Sequence, residues 1–253
     1  MRKVRVSVCT THYNGWPSVH DFLVSLMRQL PDDAELVMVD AGSRDKSVEY
    51  LHDMQKRDRR FRLFVAPGCK RGAGRDQAWG EAQGEAILHI DADRTWKPDG
   101  WKRVEAILPQ LSKGPLKLRS PLGQIGLGGF LFKRSHLVKV DGYDETLQYF
   151  EDVDLLNRLR THWPLPEVDF DVYLTDDKSK MKKVGANIRY YREMFRDGAR
   201  MRIGFDYLAS GSRGHWRREL LVRFVGRPAY RRGLKMPPAR SVDDAATARP
   251  AAR

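Results

Sequence analysis

The sequence predicts an α/β chain: a mostly parallel sheet with helices on both faces. Three observations predict it. Short β-rich runs alternate with stretches of helical spacing through the N-terminal half, the pattern of strand–helix–strand units. One run, Ala86 to Ile90 in EAILHIDADRTW, is apolar and bounded by Gly84 and by carboxylates, which reads as a buried strand. The hydrophobic fraction is 41% of 253 residues, enough for a core. No apolar run reaches the roughly 18 residues of a conventional membrane span.

In order, Val4 to Thr10 alternates and is β-rich, a first strand broken by Thr11-His12-Tyr13-Asn14-Gly15. Ser18 caps a helix over Val19 to Gln29, with Phe22, Leu23 and Leu26 at helical spacing. Glu35 to Val39 is a second strand, ending in Asp40-Ala41-Gly42-Ser43. Asp45 or Ser47 opens a second helix through about Gln55. Phe61 to Val65 is a third strand. Pro67 to Gly74 is a cationic glycine-rich loop, followed by a helix over Arg75 to Gln83 and then the strand that ends in Asp91-Ala92-Asp93. Pro98 and Asp99 start a helix over Gly100 to Leu111. Ser112 to Gly123 reads as a connection or strand edge, and Ile125 to Lys133 as an apolar strand whose paired glycines, Gly128-Gly129, let backbone approach a ligand or form a bulge. Ser135 to Val140 is a short helix. Val153 to Arg160 is another, opened by Glu151-Asp152. Val168 to Leu174 is a last strand. Thr175 to Gly185 is a charged mobile loop, and Asn187 to Leu208 is helical.

Charge is uneven. From Lys178 onward there are 20 Lys+Arg against 6 Asp+Glu, a balance of +14, which leaves the preceding body at 26 against 27, or −1. This bears on what the C-terminal third meets, not on the fold. Arg213 to Arg240 interleaves arginine with Trp216, Leu220, Leu221, Phe224, Val225 and Tyr230, a pattern suited to an anionic membrane surface. An ordinary amphipathic helical pair packed on the body has the same pattern. Cys9 and Cys69 make neither a disulfide framework nor a zinc spacing and read as buried thiols. Met1-Arg2-Lys3 runs straight into strand-like VRVSVCT, so a cytoplasmic protein is expected, peripheral on the inner face of the membrane.

The chemistry gathers at strand ends. Residues at i and i+2 on an extended chain share a face, so Asp91 and Asp93 converge. Two such carboxylates repel unless a cation lies between them, and hard oxygen ligands with diphosphate oxygens suit Mg²⁺ or Mn²⁺. The bland reading of Asp-x-Asp is a solvated turn. Asp40, at the end of the second strand, reads either as an acceptor for a base N–H or ribose hydroxyl, or as a helix cap with Ser43. Lys70, Arg71 and Arg75 beside Gly72 and Gly74 place cations and backbone N–H groups for phosphates. RGAGRDQ is neither a dinucleotide fingerprint nor a P-loop. Glu151-Asp152 at a helix start is favoured by the dipole without any catalysis.

Taken as an ordered series, these stretches resemble the family 2 glycosyltransferases, with their GT-A fold, over residues 4 to about 160. VSVCTTHYN resembles the family's first-strand motif, with Thr11 where Pro is usual. VMVDAGSRDKS is similar to its Val-Asp-x-Gly-Ser-x-Asp segment, and RGAGRDQA to its Ala-Arg-Asn segment, with Asp76 where Asn is usual. IDAD matches the Asp-x-Asp motif, GGFLFKRSHLVKVDGYDE resembles the acceptor-site floor, and FEDVDLLNRL carries the Glu-Asp pair. The resemblance implies that Thr11, His12, Tyr13 and Asp40 hold the base, and that Arg75 and Asp91 help hold ribose or diphosphate. It implies that Asp93 with Asp91 binds Mn²⁺ or Mg²⁺, that Asp152 is the general base, and that Glu151 orients the acceptor.

The expected function is therefore inverting transfer of a sugar from a UDP- or GDP-sugar to a glycan or lipid-linked acceptor. Residues 1–177 form the catalytic domain, with a nucleotide-sugar half (1–97) and an acceptor half (98–177). Residues 178–236 form a basic helical extension, and 237–253 a disordered tail. One rival is a sugar nucleotidyltransferase, which needs a glycine-rich loop after the first strand where this chain has one glycine between Thr11 and Trp16. The other is a non-catalytic nucleic-acid-binding protein, which leaves both carboxylate pairs unexplained; no nucleic acid is expected.

Overall fold

The computed structural model describes residues 3–120, 129–174, 188–210 and 216–243. The strands are β1 (Val6–His12), β2 (Ala34–Asp40), β3 (Phe61–Val65), β4 (Ala86–His89), β5 (Leu116–Arg119), β6 (Gly129–Lys133) and β7 (Glu167–Asp169). They form one sheet in the order β3-β2-β1-β4-β6-β5-β7. The first four are parallel. β6 is antiparallel to both β4 and β5, and β7 is parallel to β5. The helices are α1 (Ser18–Met27), α2 (Ser47–Arg57), α3 (Arg71–Glu81), α4 (Gly100–Ile107), α5 (Arg134–Lys139), α6 (Glu151–Arg160), α7 (Ile188–Arg200), α8 (Phe205–Ala209), α9 (Trp216–Leu221), α10 (Arg227–Gly233) and α11 (Arg240–Asp243).

The near-continuous apolar reading of β2 has a simple cause. Leu36 and Met38 pack with Phe22, Leu26 and Val104 in one core. Val37 and Val39 point to the opposite face and pack with Ala78, Leu137, Leu155 and Leu159 in a second. A strand covered on both sides needs apolar residues at every position. The carboxyl ends of β1, β2 and β4 then open at one edge, the place where such sheets bind ligands.

Some boundaries differ from the sequence reading. α3 begins at Arg71 and takes in residues expected to be loop. Its first amides are satisfied from the 147–148 segment: Arg71 N donates to Gln148 Oε1 (3.1 Å) and Gly72 N to the Leu147 carbonyl (3.0 Å). A Cβ on Gly72 would lie 2.1 Å from the Asp144 carbonyl and one on Gly74 2.9 Å from the Thr11 methyl. These glycines serve close packing rather than a phosphate cradle. Gly129 (φ +135°) is likewise a close approach of backbone to backbone, since a Cβ there would meet the His89 carbonyl at 2.4 Å. The last strand is only Glu167–Asp169. Beyond it, Phe170 and Tyr173 turn inward onto Trp96. The loop expected over 175–185 and the first residues of the 125–133 run lie outside the described residues.

The C-terminal helices pack on one another and on the body. The helix expected through Leu208 breaks after Arg200 at Arg202, whose φ is +55°. α9 passes through a π-helical turn (Val222–Gly226) into α10. Gly226 and Gly233 let α10 lie directly on α7: added Cβ atoms would meet the Phe195 ring at 3.0 Å and the Arg196 carbonyl at 2.3 Å. Residues 237–243, expected to share a disordered tail, are instead held in place. Ala239 is fully buried, and its N–H donates to the Arg200 carbonyl (3.1 Å). Arg240 N and Ser241 N donate to Asp144 Oδ2 (3.3 Å) and Asp154 Oδ1 (2.7 Å). Two buried carboxylates need donors, and this segment supplies them. Residues 244–253 lie outside the described residues.

Candidate active site

A cleft of about 800 Å³ opens at the carboxyl edge of the sheet. Its walls include Thr11, His12 and Tyr13 after β1, Ala41 and Gly42 after β2, Cys69, Lys70 and Arg71 before and at the start of α3, and Asp91 and Asp93 after β4. Gln148 and Tyr149 close it from the segment before α6, and Arg189, Tyr190 and Glu193 from α7. Asp40, Arg75, Glu151 and Asp152 are not among its lining residues.

The end of the cleft beside β1 and β2 is stitched together by side chains. Asp40 is buried and acts as the cap of its own loop. Its Oδ2 accepts from Gly42 N (3.1 Å) and Ser43 N (2.8 Å), and its Oδ1 from Ser43 Oγ (2.5 Å). Ser43 Oγ in turn accepts from Asn14 N (2.8 Å), and Asn14 Oδ1 accepts from Arg44 N (2.8 Å). The loops after β1 and β2 are therefore tied to each other. His12 is buried with Nε2 2.9 Å from Ser47 Oγ. Tyr13 is 58% exposed on the rim, and its φ-positive neighbour Asn14 (+47°) turns the loop.

Asp91 and Asp93 both face the cleft, through a turn rather than the extended segment expected. The surrounding protein raises the Asp91 carboxyl, but Arg75, Arg71 and Arg94 outweigh this and hold it below the usual carboxylate range. It is therefore an anion at neutral pH. Among the described residues no three His, Cys, Asp or Glu side chains gather into a ready-made metal cage. Two oxygen donors on an open cleft still fit Mg²⁺ or Mn²⁺, which is commonly bound by one or two carboxylates and completed by substrate phosphates and water.

Behind this edge lies a buried charge cluster. Arg75 Nη2 donates to Asp91 Oδ1 at 3.1 Å, and Arg75 Nη1 lies 3.3 Å from Glu151 Oε1. Its guanidinium rests over the Tyr143 ring at 5.9 Å, and Tyr143 OH pairs with His89 Nδ1 at 2.9 Å. Burial, and secondarily Arg75, holds His89 well below its ordinary value, so it is neutral. Glu151 opens α6 after Phe150, a non-glycine residue in the left-handed region (φ +66°). Desolvation raises the Glu151 carboxyl to about 7, against the pull of Arg75 and Arg71. Asp152 is half-buried beside it, its Oδ1 accepting from Val153 N at 2.8 Å.

The Glu151 shift predicts a pH dependence. Because the folded value lies above the unfolded one, the native state holds the extra proton between about 4.5 and about 7. Stability from this group is thus present at low pH and lost as pH rises through 7. Glu151→Gln cannot titrate, so its stability relative to the parent should improve from pH 5 to pH 8, by on the order of a few kcal/mol. Urea unfolding at the two pH values checks this; no change in the difference would refute it.

The sequence reading missed the α7 contribution. In the structure Tyr191 and Phe195 pack with Val222 and Ala229, and the opposite side presents Arg189, Tyr190 and Glu193 to the cleft. Arg189 Nε donates to Glu193 Oε1 at 3.0 Å. The one available signal was Asp197, an acid between Arg196 and Arg200 on an arginine-rich helix. It is fully buried, accepting from the backbone amides of Gln148 (2.9 Å) and Tyr149 (3.3 Å), which ties α7 to the cleft wall. Cys69 also lines the cleft, from a loop rather than a strand, whereas Cys9 is buried in β1 and its thiol is pushed up by burial.

This is the GT-A fold: a mostly parallel sheet with helices on both faces and an acidic edge opening on a cleft. Solved structures agree in fold. TarS 1-349 of S. aureus in complex with UDP-GlcNAc superposes with a TM-score of 0.63 at 15% identity, covering 91% of this chain and 80% of that one. The mannosyltransferase PcManGT from Pyrobaculum calidifontis, in complex with GDP-Man and Mn2+, gives 0.61 at 15% identity, covering 97% and 76%. Residues 7–114 match the family described as Glycosyl transferase family 2. An uncharacterized glycosyltransferase of Haemophilus influenzae is 30% identical over 89 residues, 35% of this chain and 36% of the relative. The chain spans between about a quarter and two fifths of the length of the curated relatives it matches.

Proposed function

We propose that the protein transfers a sugar from a UDP- or GDP-sugar to a hydroxyl of a glycan or lipid-linked acceptor, with inversion at the anomeric carbon. The observation that carries this reading is the pair of acidic sites, Asp91/Asp93 on the cleft and Glu151/Asp152 behind its wall, brought together from distant parts of the chain, with Arg75 linking Asp91 to Glu151. Thr11, His12 and Tyr13 would bind the base and ribose, within loops whose shape Asp40 maintains. Asp91 and Asp93 would hold Mn²⁺ or Mg²⁺. When bound, the metal neutralises the leaving diphosphate. Asp152 takes the acceptor hydroxyl proton as that oxygen attacks, and Glu151 orients the acceptor. A base on the opposite side from the leaving group is what a single in-line displacement needs, and no covalent nucleophile is required.

A thermal-shift screen of nucleotide sugars with and without Mn²⁺ tests the donor. Ligand at a hundred times its Kd should add about 2.7 kcal/mol of stability, selectively for one donor and more strongly with metal. No shift with any nucleotide sugar would count against the reading.

We also propose that the enzyme works peripherally at the cytoplasmic face of the membrane, held by the segment Arg213 to Arg240. Among the described residues no helix is long and apolar enough to cross a membrane. Phe224 is 67% exposed, with Arg223 over its ring at 5.5 Å, and Leu220 and Leu234 are exposed nearby. Exposed apolar side chains among arginines suit an anionic interface. Truncation before α9 would strip the cover from Phe195, so point variants are the better test. The intact chain should co-sediment with anionic liposomes at low salt and less at high salt, and Phe224→Asp with Arg223→Glu should lose most of that binding. Equal binding by the double variant, or none by the parent, would sink the membrane assignment.

A further inference from the structure

We propose that Arg75 is a positioning residue that sets the donor end and the acceptor end of the cleft against each other, by holding Asp91 and Glu151 at opposite edges of one buried guanidinium. The proposal rests on the glycosyltransferase reading above.

The geometry gives Arg75 little freedom to do anything else. It projects from α3, whose first turn is pinned by Leu147 and Gln148. Its side chain is 9% exposed and does not line the cleft. Nη2 reaches Asp91 (3.1 Å), Nη1 reaches Glu151 (3.3 Å), and the plane lies over Tyr143, itself anchored to His89 at the end of β4. A guanidinium presents donors at fixed angles along several edges, so it can bind two carboxylates from different directions and fix the distance between them. A lysine ammonium is a point charge on a flexible stem and cannot. Asp91 therefore meets the cleft with an orientation set from behind, and α6 is held by its first residue. Arg75 occupies Glu151 Oε1. Glu151 Oε2 is buried and has no hydrogen-bond partner among the described residues, so the Arg75 contact on Oε1 is what fixes this carboxylate. Neighbouring Arg71 lies 3.8 Å from Glu151 Oε1 and over the Tyr149 ring at 5.5 Å. It is half-exposed and on the cleft wall, so it is the arginine placed for direct ligand contact, whereas Arg75 acts through its carboxylates.

The test is a double-mutant cycle in the full chain, with Arg75→Lys, Glu151→Gln and the pair. Binding is measured with UDP and GDP in the presence of Mn²⁺, and turnover with whichever UDP- or GDP-sugar stabilises the parent. Arg75→Lys should lower kcat at least about thirtyfold while the nucleotide Kd changes less than about threefold, because the tie is broken but no donor contact is lost. Glu151→Gln should also lower kcat. The double variant should be within about threefold of the worse single, since both changes break the same tie. A Kd loss as large as the kcat loss would make Arg75 a donor ligand, and multiplicative effects would give it a separate role; either overturns the proposal. If the parent neither binds the nucleotides nor turns over any sugar donor, the glycosyltransferase reading fails. The tie is then judged on thermal unfolding midpoints, where additive shifts overturn it and non-additive shifts sustain it.

Discussion

Asp93→Ala should reduce sugar transfer to background, by about a thousandfold or more, with the fold intact. The residue sits in the turn after β4 with its side chain on the cleft, so its removal disturbs no strand and neither apolar core. On the proposed function it removes one of two oxygen donors for a cation that would stabilise the departing diphosphate, and such electrostatic help is often the largest part of catalysis. The parent should lose activity in EDTA and regain it with Mn²⁺ or Mg²⁺, whereas the variant should not respond to added metal. Circular dichroism and the melting temperature should match the parent. Full activity in the variant, or in the parent with EDTA, would refute the metal assignment.

Asp152→Asn should lower turnover by about a hundredfold or more with little change in donor affinity. Asparagine keeps the size of the side chain and its bond to the Val153 amide but cannot accept a proton. The measurement is single-turnover transfer alongside calorimetric nucleotide binding. If donor binding falls with turnover, Asp152 belongs to the donor site or to the fold. Set beside the Arg75→Lys cycle, the experiment separates the group that moves the proton from the groups that hold the geometry.

The carboxylate pairs were legible because each stands where an apolar run stops, and a strand end or helix start is visible in composition alone. Asp40 shows where that legibility ended. Its position beside His12 across β1 and β2 follows from parallel pairing, but the sequence left base acceptor and helix cap as open readings, and the structure makes it the cap of its own loop instead. The coordinates show Gly42 and Ser43 bonded to both of its oxygens. Gly72 and Gly74 show a different gap. A glycine pair beside cations reads locally as a phosphate site, and only the nearness of the Asp144 carbonyl and the Thr11 methyl shows that it is a packing requirement.

Period-2 and period-3.6 patterning were enough to specify the sheet, its covering helices and the acidic edge, because those patterns record burial one residue at a time. Contacts between residues far apart in the chain leave no such local record. Arg75 between Asp91 and Glu151, Asp197 under the amides of Gln148 and Tyr149, and Ala239 buried against Arg200 each join segments that no periodicity relates. That Arg189 of α7 faces the cleft was decided by Gly226, at the end of the π-helical turn, and Gly233 of α10, which let these segments take the apolar face of that helix. Its arginine-bearing side was left to meet the cleft.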